Sequence, residues 1–357
     1  MEATPLAVPF VQELAKEKLT RVPERYVRLH NERPALYNSS TTPLPLPIID
    51  LSKLLSKDHK VPELERLHQA CKEWGFFQLI NHGVNTSLLE DVKRGVQEFF
   101  HLPMEEKKKF EQRQGDAEGY GQVFVVSEDQ KLEWGDVFFM FLFPLEKRKP
   151  YLFPKLPSKF RDDLDTYYTE VKKLGIHILE LMANALKIDT KEITELLDTT
   201  QATRLNYYPP CPQPELVMGL NPHSDAGGLT ILLQANEVEG LQIKKDGMWI
   251  PVEPLANAFV INIGDILEVI TNGIYPSVEH RAIVNSEKER ISIAAFHNPS
   301  MESIIGPAPS LVTPTTPARF RKISYGEYFK QFKGFLSQEL RGKSFLNIIR
   351  IENEENF

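Results

Sequence analysis

The spacing of apolar residues changes once along the chain. Up to about residue 200 it is mostly helical. Leu64, Leu67, Ala70, Cys71 and Trp74 recur every three to four positions and stop at Gly75, a residue suited to a helix C-cap. Leu88, Val92, Val96, Phe99 and Phe100 mark a second amphipathic helix, and Leu164, Tyr167, Val171, Leu174, Ile178, Leu181 and Ala185 a longer third one. Short runs at 48–51 and 76–80 read as strands. Residues 8–29 carry only a weak helical stripe, and the Pro/Ser/Thr-rich stretch 34–47 reads as a connector. The run 138–143 is apolar on both faces and reads as sheet core from which a pocket could borrow. From Ala202 onward the period becomes two, with candidate strands at 203–207, 229–234, 241–244, 249–252, 258–263, 280–285 and 291–296 and a turn at Asp246-Gly247. So many short strands at even spacing predict an antiparallel sandwich or barrel, and a jelly roll fits their number. Residues 325–340 are helical again and are expected to lie against the barrel.

Composition narrows this reading. A chain of 357 residues suits one enlarged domain. Its expected parts are an N-terminal mixed α/β region (1–200) packed on the core, a catalytic β region (201–310) and a C-terminal helical segment (311–357), together one compact unit. The net charge of −7 and pI near 5.8 argue against the basic field that nucleic-acid binding requires. Cys71 and Cys211 lie far apart without metal-type spacing, which predicts free thiols in a reducing compartment. No apolar stretch reaches the length of a membrane span, and Glu2 stands where a signal peptide favours positive charge. The expectation is a cytoplasmic monomer acting on a small molecule, with neither nucleic acid nor membrane as partner.

The candidate chemistry begins at His223-Ser224-Asp225. On a strand, residues two apart share a face, so an imidazole and a carboxylate could reach one ion. Alone the pattern is weak, since His30-Asn31-Glu32 repeats it in the N-terminal connector. A second histidine, His280, opens a later strand that a jelly roll could bring opposite the first pair. Two histidines and one carboxylate form the facial triad of non-haem iron(II) oxygenases, which leaves positions open for co-substrate and dioxygen. A structural zinc site would close its shell with a fourth ligand. Arg290-Ile291-Ser292 then places a guanidinium and a hydroxyl on one strand face, a pairing suited to a carboxylate, although a lone arginine after a turn is more often solvated. His82 reads as a structural histidine, and the mixed-charge run 105–109 as a solvated helix face.

At these residues the chain resembles the plant 2-oxoglutarate and Fe(II)-dependent dioxygenases. The likeness extends through Pro47-Ile48-Ile49-Asp50-Leu51, the block from Ala70 to Val84, and Asn206-Tyr207-Tyr208-Pro209-Pro210-Cys211-Pro212. Through Val11-Gln12-Glu13-Leu14-Ala15 and Glu118-Gly119-Tyr120-Gly121-Gln122 it is most similar to the group of senescence-related-gene-like proteins and morphinan O-demethylases. The resemblance implies a mainly β fold with α elements: a distorted double-stranded β-helix core, a helical N-terminal region and a C-terminal helix. It implies Fe(II) held by His223, Asp225 and His280, with 2-oxoglutarate and O2 as co-substrates and ascorbate as reductant. The same likeness implies that Arg290, Ser292 and Tyr208 hold the distal carboxylate of 2-oxoglutarate and Asn206 its proximal end, with no catalytic group needed beyond the metal centre. Tyr120, Phe124, Phe138 and Phe296 are the expected pocket walls, for an apolar ring-containing specialised metabolite such as an alkaloid or flavonoid that is hydroxylated or O-demethylated. Open alternatives are an oxidase of the same superfamily that does without 2-oxoglutarate, a catalytically silent binding protein, and a zinc hydrolase on a β-sandwich.

Overall fold

The structure, a computed structural model, describes residues 6, 8–17, 19–34, 45–113, 116–122, 125, 127–337 and 345–351. Its strands in chain order are Ile48–Asp50 (β1), Phe76–Ile80 (β2), Gly119–Gly121 (β3), Asp136–Phe143 (β4), Thr200–Tyr208 (β5), Leu220–His223 (β6), Leu229–Gln234 (β7), Leu241–Lys245 (β8), Met248–Pro251 (β9), Phe259–Ile263 (β10), His280–Ala282 (β11) and Arg290–Asn298 (β12), and a short pair, Ile304–Ile305 with Ile323–Ser324, follows. The major sheet runs β1-β2-β10-β7-β12-β5-β4-β3, antiparallel except for β1 with β2, and the minor sheet runs β6-β11-β8-β9. Two such sheets with a cavity between them form the expected jelly roll. The first 200 residues do more than pack on this core, because β1 to β4 extend the major sheet at both edges.

Alternation decides what each face of the major sheet meets. Ile291, Ile293 and Ala295 of β12 point into the main hydrophobic core with Leu205, Ile231 and Ile261, against Leu164 and Val171 of the helix Ser158–Leu186 and against Phe99 of the helix Thr86–His101. The opposite parity, Arg290, Ser292, Ala294 and Phe296, lines the cavity. Helix ends follow local chemistry. Asn85 Oδ1 accepts the N–H groups of Ser87 (2.8 Å) and Leu88 (3.4 Å) to start Thr86–His101. Gly75, at φ +60°, ends Lys60–Trp74; a Cβ there would sit 2.4 Å from the Pro276 carbonyl oxygen, so the position admits only glycine.

The apolar pattern located most elements to within a few residues, and its misses have physical causes. Asp265–Ile270 is a helix that the pattern did not predict, because all six residues are buried and leave no polar stripe to betray the period. The strand expected over 280–285 stops at Ala282, and Leu51 begins a helix, Leu51–Leu55. The charge run 105–109 is not uniformly solvated. Lys107 is fully buried and donates to Phe100 O (2.9 Å) and to Gln12 Oε1. His82 is structural, its Nε2 donating to Asn257 O (2.9 Å) and its Nδ1 accepting from Val84 N–H (3.1 Å). Cys71 and Cys211 are buried and unpaired. The C-terminal helix spans Tyr325–Ser337; residues 338–340 and the connector positions 39–42 lie outside the described residues. Among the described residues no helix is long and apolar enough to cross a membrane.

Candidate metal centre and its pocket

His223 and His280 are directly paired neighbours on β6 and β11 of the minor sheet, with ring centroids 4.2 Å apart. This corrects two expectations. The histidines do not face each other across the roll, and Asp225 does not share a strand with His223, because β6 ends at His223. The chain instead turns past the strand end and carries Asp225 across to the major sheet. There its Oδ2 accepts from Thr230 Oγ1 of β7 (2.6 Å) and Asn262 Nδ2 of β10 (2.7 Å). Oδ1 is left facing His223 Nε2 at 3.5 Å and His280 Nε2 at 3.7 Å.

Each imidazole is oriented through its other nitrogen, His223 Nδ1 donating to Asn221 O (2.8 Å) and His280 Nδ1 to Val278 O (3.1 Å). Backbone acceptors at Nδ1 fix the tautomer that presents a lone pair at Nε2, the arrangement a metal-ligating histidine needs. Burial, with His223 beside it, pulls His280 down to about 4. Burial also lowers His223, but the Asp225 carboxylate outweighs it and holds His223 above its usual value. Asp225 lies well below the carboxylate range despite burial, because His280 and His223 favour its anion. One ligand atom from each residue falls within 4.8 Å of the others. Two imidazole nitrogens and one carboxylate oxygen fit a divalent ion such as Fe(II), which takes the place of any proton on Nε2.

The four residues expected to hold the co-substrate stand on two adjacent strands in one register: Arg290 opposite Tyr208, Ser292 opposite Asn206. Asn206 Nδ2 donates to Ser292 Oγ (3.2 Å), and the Arg290 guanidinium carbon stands 5.4 Å from the centroid of the Tyr208 ring. Arg290 is 3% exposed; its Nη2 makes a long contact to Gln234 Oε1 (3.3 Å), and its Nε is buried without a partner. A buried unpaired guanidinium donor is costly unless a ligand completes it, so this arrangement fits a carboxylate. Gly240 makes room for it, since a Cβ there would lie 2.6 Å from Arg290 Cδ.

The cavity that Arg290 and the metal-binding residues share has a volume of about 410 Å³. Phe296 lines it as expected, joined by Phe139 and Phe141 of β4 and by Phe329 and Phe332 of the C-terminal helix. Tyr120 and Phe138 do not. Both are fully buried in the hydrophobic core, Tyr120 of β3 stacked on Phe10 (5.1 Å) and its cross-strand partner Phe138 of β4 on Phe99 (4.8 Å), on the sheet face away from the cavity. A run apolar on both faces carries no parity signal, and only pairing with β5, Phe139 opposite Arg204 and Phe141 opposite Ala202, sets it. Phe124 lies outside the described residues. The roles of Thr230, Asn262 and Gln234 had no signature in the sequence, since each acts through a contact made across strands.

Comparison with known proteins agrees with this geometry. Residues 199–299 match the 2OG-Fe(II) oxygenase superfamily, and residues 46–158 match the family described as non-haem dioxygenase in morphine synthesis N-terminal. The chain is 57% identical to oxoglutarate-dependent flavonoid 7-O-demethylase 1 of Ocimum basilicum, over 98% of this chain and 92% of that one. It is 53% identical to thebaine 6-O-demethylase of Papaver somniferum, over 97% of each. Its fold superposes on a crystal structure of JOX2 in complex with 2OG, Fe and JA with a TM-score of 0.87 and 36% identity, covering 98% of this chain and 99% of that one. A chain similar to these relatives over nearly its whole length, with a two-histidine, one-carboxylate cluster beside a buried arginine, belongs to the 2OG-Fe(II) oxygenase superfamily and is an Fe(II)- and 2-oxoglutarate-dependent dioxygenase.

Proposed function

We propose that His223 Nε2, Asp225 Oδ1 and His280 Nε2 hold the Fe(II), that Arg290, Ser292 and Tyr208 grip the distal carboxylate of 2-oxoglutarate, and that Asn206 orients its proximal end. One observation carries this reading: three ligand atoms converge in a cavity that also holds a buried, unpaired guanidinium donor. When bound, Fe(II) with 2-oxoglutarate and O2 supplies oxidative decarboxylation to succinate and CO2, coupled to insertion of one oxygen atom into a substrate C–H bond. The chain's own contribution is positional. Thr230 and Asn262 hold Asp225, two backbone carbonyls hold the imidazoles, and Phe139, Phe141 and Phe296 receive an apolar ring and exclude water.

The substrate of this reading is a ring-containing specialised metabolite, hydroxylated or O-demethylated, which the two demethylases among the relatives support. Oxygen inserted into a methoxyl carbon gives a hemiacetal that collapses to formaldehyde and a free hydroxyl without any further protein group. The same reading has the chain working as a monomer, which gel filtration tests, and in the cytoplasm, a reducing compartment that its two buried, unpaired thiols suit.

Alanine at His223, Asp225 or His280 should abolish 2-oxoglutarate-dependent succinate formation and bound iron while leaving the far-UV circular dichroism spectrum unchanged. Substantial activity in all three variants would sink the assignment. Product profiling with plant extract, Fe(II), ascorbate and 2-oxoglutarate would identify the substrate.

A further inference from the structure

Strand β4 carries a bulge where it forms the cavity wall. Its pairing with β5 runs from Asp136 opposite Tyr207 to Phe141 opposite Ala202, after which Phe143, not Leu142, faces Gln201. Leu142 is the extra residue and is buried in the hydrophobic core. Pairing on the other side of β4 ends earlier, with Gly119 opposite Phe139, so beyond that rung β4 is an open sheet edge. Two main-chain groups at this edge bond side chains in place of a strand.

Glu118 Oε2 accepts the Phe141 N–H (2.7 Å), and Arg148 Nε donates to Leu142 O (2.8 Å). Both side chains are anchored in turn. Glu118 is 2% exposed, with its Oε1 3.3 Å from Lys149 Nζ, and Lys149 also pairs with Asp116. Arg148 Nη2 donates to Asp165 Oδ1 (2.7 Å) on the helix Ser158–Leu186, and its guanidinium lies over the Phe153 ring, 4.2 Å from the centroid. What they hold is a wall of the cavity. Phe141, Ala202 and Phe296 form one rung across three strands, a small residue flanked by two rings, and the width of the gap above Ala202 follows from where the backbone of β4 lies. Neither Glu118 nor Arg148 lines the cavity itself.

Resting on the oxygenase reading above, we infer that Glu118 is a positioning residue for the substrate: together with Arg148 it pins the β4 bulge and so sets the gap between Phe141 and Phe296 that receives a flat aromatic ring. A slip of β4 by one residue would turn Leu142 to the cavity and Phe141 to the core, because successive side chains point to opposite faces. At a sheet edge with a bulge, pairing with β5 alone does little to resist that slip. The two pins resist it by fixing one main-chain group on each of the two residues concerned.

The test uses 5-hydroxy-7-methoxyflavone as the flat probe, reading its binding by fluorescence quenching and, with Fe(II) and 2-oxoglutarate, product and succinate. Glu118→Ala should weaken flavone binding at least fivefold and at least double the succinate formed per product, with the 2-oxoglutarate KM moved less than twofold. Glu118→Gln keeps an acceptor for the Phe141 N–H and should stay within twofold of wild type. In a Phe141→Ala background, adding Glu118→Ala should change flavone binding less than twofold, because the ring it positions is gone; a merely structural role would weaken binding by the same factor in both backgrounds. Arg148→Met removes the second pin and keeps an apolar stem, and it should act as Glu118→Ala does, so it carries the test if Glu118→Ala fails to fold. Flavone binding unmoved by either pin variant, equal losses in Glu118→Gln and Glu118→Ala, additive losses in the double variant, or a succinate-forming wild type that does not bind the flavone would each overturn the inference. A wild type that binds the flavone and forms no succinate would count against the oxygenase reading instead, and the binding series would still decide the role of Glu118.

Discussion

At Arg290, a single side chain tests the co-substrate site. Lysine keeps the charge but loses the planar fork that meets a carboxylate with two parallel bonds. Arg290→Lys should raise the KM for 2-oxoglutarate roughly ten- to hundredfold, the equivalent of about 1.5–3 kcal/mol for hydrogen bonds to a charged group, with anaerobic iron binding retained. An unchanged KM in a folded, iron-loaded variant would remove Arg290 from the site. Two adjacent phenylalanines offer a second contrast. Phe138 is fully buried and stacked on Phe99, so Phe138→Ala should cost about 3–5 kcal/mol of stability. Phe139, half-buried at the cavity, should lose substrate affinity on truncation with a much smaller drop in Tm. Equal drops in Tm would contradict the parity assigned to β4.

A hydrogen bond links the C-terminal helix to the segment around the metal centre. Tyr328 Oη donates to Asp265 Oδ2 (2.7 Å), and the same oxygen accepts from Ser224 Oγ (3.3 Å). The Asp265 N–H in turn donates to Asp225 O (2.8 Å). Asp265 thus joins the helix that brings Phe329 and Phe332 to the cavity to the loop that carries Asp225. Removing the hydroxyl should cost only about 0.5–1.5 kcal/mol of stability. A helix held less firmly over the cavity admits water and loosens the substrate, so Tyr328→Phe should consume several times more 2-oxoglutarate per product formed. The ratio of succinate to product measures this, and a ratio equal to that of wild type would show that the latch does not govern closure.

Across the whole molecule, a buried polar cluster ties the N-terminal segment to the barrel. Asp136 of β4 accepts the N–H groups of Val11 (2.9 Å) and Gln12 (2.8 Å), and Gln12 Nε2 donates to Phe100 O (2.8 Å) next to buried Lys107. Burial pushes Asp136 up to about 6, although the two N–H groups and Lys107 pull the other way. A carboxyl whose folded value is raised stabilises the fold fully below its unfolded value, near 3.8, and loses that contribution as pH rises through about 6. Wild type should therefore lose stability relative to Asp136→Asn between about pH 4 and pH 7, by roughly 2–3 kcal/mol for a shift of this size. Parallel melting profiles for the two proteins over that range would refute the account.

The sequence by itself determined the elements and the inventory of the site. Apolar period separates helices from strands wherever one face of an element meets water, which is why the strand 229–234 was legible to the residue and the all-buried helix Asp265–Ile270 was not. Two histidines and a carboxylate, followed by an arginine two places before a serine, each weak alone, together point to a metal and a carboxylate before any fold is known. Tertiary structure decided which surfaces meet. It paired His223 with His280 as cross-strand neighbours, sent Asp225 across to Thr230 and Asn262, buried Lys107 from the middle of a charged run, and turned Phe139 rather than Phe138 toward the cavity. Those outcomes depend on register and pairing between segments far apart in the chain, and a period of two names two faces without saying which one will look inward.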